Sequence, residues 1–274
     1  MRRSISLLSY EHHAERIVEE IEHNNERVVA QMPYIKKTCK AGRTKHVKLY
    51  YSVRWHNKKE GKREPKRNIT SEAQKKVNLR QAEEKLEKKM DANFCGDDYY
   101  LTLDFRPEER PSGKKGISVI MKRYLRTMRN LYKKAKKPFK YIWVAEVGSR
   151  GAVHIHIVIN GIDDIRAVIR LWTHGGTTIK PMYADGNYRK LAHYFIKYSE
   201  KTLKTTGELQ GKRWNASKNL VTPVERKKII MRDAFSYEIK APKGYYLDKD
   251  SIRMGIHEET GYSFLKYTLV RLNC

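Results

Sequence analysis

With 274 residues, 39% of them hydrophobic, the chain is long enough for one substantial domain with additions or for two small ones. Lysine and arginine total 58 against 31 acidic residues, a net charge of +27 that favours a polyanionic partner, because neutralising phosphates releases condensed counterions. No apolar run approaches the roughly 18 residues of a membrane span, no GxxxxGK[ST] marks a P-loop, and MRRSISLLSYEHH has too short an apolar core for a signal peptide. Cys39, Cys95 and Cys274 form no CxxC pair, which argues against a zinc ribbon or disulfide framework and suits a reducing cytosol.

In chain order, residues 1 to about 45 are charged, with a weak helical pattern in AERIVEEIEHNNERVVAQM. HVKLYYSVRWHN (46–57) alternates as a strand, and the cation-rich KKEGKREPKRN that follows is a solvated loop or a phosphate contact. TSEAQKKVNLRQAEEKLEKKM (70–90) reads as a helix capped by Thr70 or Ser71, with only a narrow stripe of Val77, Leu79, Ala82, Leu86 and Met90. YYLTLDF (99–105) alternates at period two as a strand. ISVIMKRYLRTMRNLYKKAKK (117–137) is an amphipathic helix with a basic outer face. YIWVAEV and VHIHIVI are strands joined by a turn through Gly148-Ser149-Arg150-Gly151. DDIRAVIRLW (163–172) reads as a helix, GGTTIKPMY as a short strand, NYRKLAHYFIKYSEKT (187–202) as a helix and GYSFLKYTLVRL as a last strand. The expected fold class is therefore α+β, a central and mostly antiparallel sheet of about five strands flanked by helices. The expected organisation is a basic N-terminal extension (1–69), a core domain (70–220) and a C-terminal extension (221–274) packed on it.

The chemistry concentrates in VAEVGSRGAVHIHIVING. Residues two apart in a strand share a face, so His154 and His156 lie together and Ile155, Ile157 and Ile159 take the other side. A short turn places Glu146 about opposite His154 on the neighbouring strand. An HxH strand is also the pattern of two hydrogen-bonded core histidines. With the carboxylate added, the set leaves open positions on a divalent cation: zinc is possible, and a carboxylate beside a phosphate-bearing substrate fits Mg2+ or Mn2+ at least as well. On the helix at 187–202, Tyr194, Lys197, Tyr198 and Lys201 form one stripe beside the apolar sector of Tyr188, Leu191, Ala192 and Phe195. A phenol with a pKa near 10 attacks a phosphodiester only where positive charge polarises the phosphate.

YYLTLDF, HIHIVIN and YFIKYSEK, in that order, resemble motifs 1, 2 and 3 of the HUH endonucleases, the rolling-circle replication initiators. The YxxKYxxK form of the third is most similar to the two-tyrosine initiators of phages and plasmids, and VNLRQAEEKLEKKMDANF and GKRWNASKNL carry softer likenesses to Rep proteins. The resemblance implies an HUH/Rep nuclease domain with an RRM-like core over about residues 70–220. It implies a metal-dependent enzyme that nicks and rejoins single-stranded DNA through a 5′-phosphotyrosine link. His154, His156 and Glu146 would hold Mg2+ or Mn2+, Tyr194 and Tyr198 would serve as nucleophiles, and Lys197 and Lys201 would steady the phosphates. Arg150, Lys190, Lys212 and Arg213 would contact DNA. The expected partners are single-stranded DNA or an origin hairpin, with helicase and polymerase supplied in trans and no membrane, in the cytoplasm of a bacterial host. An HUH-type transposase shares this motif order, and a non-catalytic nucleic-acid-binding protein or a metal-dependent hydrolase using water are the rivals from other classes. Both tyrosines satisfy Y-x-x-K, so the sequence leaves open which attacks.

Overall fold

The computed structural model describes residues 33–52, 71–148, 151–206, 212–257 and 261–272. The helical pattern in 14–32 and the basic loop at 58–68 lie outside them. The chain divides into two compact units, one of residues 1–39, 45–65 and 224–272 and one of 40–44, 66–223 and 273–274.

The larger unit is built on a five-stranded antiparallel sheet. Its strands are β3 (Tyr99–Asp104), β4 (Tyr141–Val147), β5 (Val153–Ile159), β6 (Thr177–Pro181) and β7 (Asn215–Ala216), in the order β6-β3-β5-β4-β7. The helices are α1 (Glu72–Asp91), α2 (Gly113–Lys134), α3 (Ile165–Arg170) and α4 (Arg189–Thr206). The expected α+β class with an antiparallel sheet and flanking helices is what forms. Each helix goes where its apolar stripe directs it. Met121, Tyr124, Leu125 and Met128 of α2 pack on Leu101, Leu103, Ile155 and Ile157 on one face of the sheet, with Val168 of α3 beside them. Leu86 and Met90 of α1, and Leu191, Ala192, Phe195 and Ile196 of α4, cover Ile142, Val144 and Val158 on the other.

Helix limits follow local chemistry. Ser71 caps α1, its hydroxyl accepting from the Gln74 N–H at 3.2 Å. The sparse stripe read in the sequence buries only the C-terminal end of α1, where Leu86 and Met90 are fully enclosed. Helix α2 starts at Gly113, earlier than its apolar pattern, and ends at Lys134 because Lys136 turns to a φ of 54°. The segment GKRWNASKNL contributes β7, which extends the sheet beside β4 with Ala216 opposite Ile142.

The smaller unit carries a second antiparallel sheet, ordered β8-β1-β2-β10-β9. Its strands are β1 (Tyr34–Ala41), β2 (Thr44–Tyr51), β8 (Glu225–Ile230), β9 (Tyr245–Ile256) and β10 (Ser263–Arg271). Its core gathers Leu49, Phe235 and Leu265, with Tyr34, Tyr51 and Tyr237 against them. Strands β2 and β10 match the alternation at 46–57 and 261–272. Strands β1, β8 and β9 carried no clear period, because lysines and arginines occupy positions on both faces of each.

Three tyrosines of the larger unit give the fold a pH dependence. Burial pushes the phenols of Tyr124, Tyr132 and Tyr188 far above their ordinary value of 10.0. A native pKa raised above the unfolded one contributes stability that is fully present below about pH 10 and is lost as pH rises beyond it, since only the unfolded chain then releases the proton. The Tyr124 hydroxyl is buried without a protein hydrogen-bond partner. Tyr124→Phe should therefore leave stability at pH 8 unchanged or raise it by about 1 kcal/mol, and should flatten the loss above pH 10. Urea melts from pH 8 to 11.5 measure both, and a variant that loses stability more steeply than the parent would contradict this account.

Candidate active site

The central strand β5 is bordered on both sides by antiparallel partners in continuous register. Asp104 of β3 and Glu146 of β4 both lie opposite His154, while Thr102 and Val144 lie opposite His156. Directly opposed residues share a face, so Tyr100, Thr102, Asp104, Glu146, His154 and His156 all project toward the side that α1 and α4 cover. Ile155, Ile157 and Ile159 go into the opposite core. The expected register of Glu146 against His154 forms.

Hydrogen bonding, however, runs diagonally. His156 Nε2 lies 2.7 Å from Glu146 Oε2, and both side chains are buried. The Tyr100 hydroxyl meets His156 Nδ1 at 2.7 Å, with the Thr102 hydroxyl at 3.3 Å. His154 turns the other way, its Nδ1 2.6 Å from Asp104 Oδ1. Asp104 is itself fixed through its backbone: its N–H donates to the Gly176 carbonyl at 2.9 Å, and its carbonyl accepts from the Trp172 indole at 2.8 Å. Gly175 permits this approach, since a Cβ there would stand 2.2 Å from the Asp104 carbonyl oxygen. On the other side of His154, a Cβ on Gly148 would sit 3.2 Å from its Nε2, so the turn glycine leaves that imidazole its room.

This donor set has the chemistry of a divalent-cation site. Imidazole nitrogens and carboxylate oxygens suit Mn2+, Mg2+ or Zn2+. The second nitrogen of each ring already has an outer partner, Tyr100 for His156 and Asp104 for His154, an arrangement that fixes ring orientation and leaves Nε2 as the ligand. The donors are not drawn into a closed cage: among the described residues, no three of Asp104, Glu146, His154 and His156 bring donor atoms mutually within 4.8 Å.

Helix α4 lays its tyrosines over this face. Asp91, at the end of α1, accepts the Tyr188 N–H at 2.9 Å just ahead of the helix, a carboxylate placed where unpaired N–H groups and the helix dipole favour it. Tyr188, Ala192 and Phe195 are fully buried, as their sector predicts. Farther along, the buried Thr202 hydroxyl accepts the Val147 N–H at 3.0 Å, pinning the helix to the end of β4. Between these anchors the half-buried Tyr194 places its hydroxyl 3.5 Å from His156 Nε2. The Tyr198 ring lies 4.2 Å from that of Tyr194 and 6.4 Å from the His156 ring. Burial, with Tyr100 and Glu146 nearby, drives the Tyr194 pKa well above that of a free phenol.

The other residues singled out in the sequence lie as follows. Lys201 stands with its ammonium 5.9 Å from the Tyr198 ring centre. Lys197 and Lys201 both line the groove between α1 and α4, with Leu79, Glu83 and His193. Lys190 and Lys212 are exposed. Arg213 pairs with Glu200 at 3.5 Å. Arg150 lies outside the described residues. Sequence reasoning missed Asp104 and Tyr100, both inside YYLTLDF and both on the polar face once that strand is set beside β5.

The Thr202 anchor yields a test of how α4 is held. Thr202→Val leaves the Val147 N–H buried without its partner and should cost about 1–3 kcal/mol, whereas Thr202→Ser should lose less. Denaturant midpoints of the two variants give the comparison, and equal midpoints would remove the anchor from the account.

Against known proteins, the sequence model of a family of replication-associated proteins, the ORF2 type, matches residues 98–203. Neither a curated protein nor a solved structure matches the chain. The matched stretch runs from just before β3 into α4, and so takes in every residue of the polar face and both tyrosines. The match associates this unit with DNA replication and is consistent with a rolling-circle initiator and a nuclease role.

Proposed function

We propose that the chain nicks and rejoins single-stranded DNA through Tyr194 or Tyr198 and so initiates rolling-circle replication, as an HUH endonuclease of the two-tyrosine kind. The observation that carries this reading is the Tyr194 hydroxyl 3.5 Å from the nitrogen of His156 that also meets Glu146. The family match over 98–203 supports the biological setting.

In the proposed step the tyrosine oxygen forms a bond to phosphorus and the bond from phosphorus to the 3′ oxygen breaks. The proton of the phenol ends on the leaving 3′-hydroxyl, and the DNA remains attached by a 5′-phosphotyrosine. Bond energy is kept in that link, so reversal at a second 3′-hydroxyl rejoins DNA without ATP. The second tyrosine, one turn away, suits a second transfer while the first is occupied. His156, Glu146 and His154 would hold Mg2+ or Mn2+, which supplies positive charge against the scissile phosphate. Tyr100 and Asp104 fix the two imidazoles, while Lys201, beside Tyr198, and Lys197 add charge along the strand's path. The free 3′-hydroxyl would prime a polymerase supplied, with a helicase, by a bacterial host's cytoplasm.

The test is a labelled single-stranded origin oligonucleotide incubated with protein and Mn2+. A covalent protein–DNA adduct is expected without ATP, with mass spectrometry placing the DNA on Tyr194 or Tyr198. Tyr194→Phe combined with Tyr198→Phe should abolish it. An adduct that survives the double variant, or cleavage without any adduct, would instead favour a hydrolase using water.

Cation binding has its own readout. Mn2+ at a hundred times its dissociation constant should stabilise the fold by about 2.7 kcal/mol, seen as a rise in Tm that EDTA reverses. His156→Ala should lose that rise, and an undiminished rise in the variant would move the cation elsewhere.

A further inference from the structure

In the smaller unit, strands β8 and β1 pair so that Lys36 stands directly opposite Lys228 and Thr38 opposite Arg226. Alternation puts Lys36, Lys228 and Arg226 on one face in two adjacent rows. Cross-strand positions in one row are about 5 Å apart and diagonal ones about 7–8 Å, so the three cations form one cluster. Like charges directly opposed destabilise a sheet. The acid of β8, Glu225, offers no relief, since it lies on the other face and pairs with Lys37. Lys36, Arg226 and Lys228 have no ion-pair partner among the described residues. Edge strands often carry lysine to block aggregation, which would account for Lys228 on the edge strand β8. It does not account for Lys36 on the interior strand β1 directly across from it.

We infer that this cluster contacts the phosphate backbone of duplex DNA flanking the single strand on which the other unit acts. The inference rests on the proposal that the chain works on DNA. Three cations without counter-charge recover their repulsion when phosphates neutralise them. The form of DNA follows from the aromatics. Single strands are gripped by cations alternating with free ring faces on which bases stack. In these rows the only ring is Tyr34, and it packs edge-on against Tyr51 and Phe235, 6.4 and 5.4 Å away. A surface with charge and no free ring recognises backbone alone, which a duplex presents with its bases already stacked.

The test uses the full chain carrying Lys36→Gln, Arg226→Gln and Lys228→Gln, with fluorescence anisotropy against a blunt duplex and a single strand of equal length. The expected result is duplex affinity lower by on the order of tenfold and a salt slope shallower by roughly 2 to 3, with single-strand affinity little changed. A matched variant, Lys122→Gln, Arg126→Gln and Lys133→Gln on the exposed face of α2, should leave duplex affinity nearly intact. Equal losses in both variants, equal losses on both DNA forms, or unchanged duplex affinity would each overturn the inference. Adduct formation on a single-stranded oligonucleotide reads the proposed chemistry separately: it should persist in the Lys36, Arg226 and Lys228 variant, and its absence from the parent chain would count against the chemistry alone.

Discussion

The site depends on the period-two alternation of β5 while both its neighbours hold it in register. A slip of one residue against β3 or β4 would carry every side chain of β5 to the other face. The isoleucines forbid that slip: Ile155, Ile157 and Ile159 are fully enclosed among Met121, Tyr124 and Leu125 of α2 and the apolar residues of β3 and β4. Hydrophobic burial on one face thus sets the placement of the polar groups on the other, at about 1.5–3 kcal/mol for each large side chain enclosed. The polar row is no concession in an otherwise apolar sheet. It is located by the apolar row behind it.

A buried imidazole and carboxylate remain costly unless each is hydrogen-bonded. Here they satisfy one another. His156 is held at both nitrogens, by Tyr100 and by Glu146, and His154 leans on Asp104. The same pairings orient the rings, so what keeps the face stable also aims its nitrogens. Helix α4 then brings the phenols into range, because Asp91 fixes its start and Thr202 its far end. Tyr194 and Tyr198 fall between those points, at the margin of the core packed around Phe195.

Much of this was legible in the residues. HxH together with Glu146 gave the face, and the tyrosine stripe gave the helix that covers it, because both are local periodicities. Asp104 and Tyr100 were harder to read, since their importance comes from the pairing of β3 with β5, some fifty residues away, and YYLTLDF alone is an ordinary strand. The diagonal bond from His156 to Glu146 was also hidden, because register fixes which Cβ atoms face one another and leaves the rotamers free. The second sheet was largely unread for the same reason on a larger scale. Its edge strand ERKKII pairs with YIKKTCKA nearly two hundred residues earlier, and neither segment has the alternation that marks a strand on its own.

Burial and reactivity oppose each other at Tyr194. Enclosure that holds its hydroxyl near His156 also raises its pKa, and the carboxylate of Glu146 adds to the effect. In the structure as it stands, the phenol is therefore a weaker acid than one in water and a poor nucleophile. Positive charge reverses this more effectively in such a place than at the surface, because screening by water is weaker there. A site assembled this way stays quiet until cation and phosphate bring their charges together beside the ring. The environment that suppresses ionisation is then the one in which an added charge has the largest effect, so latency and responsiveness arise from a single feature, the half-dry boundary between β5 and α4.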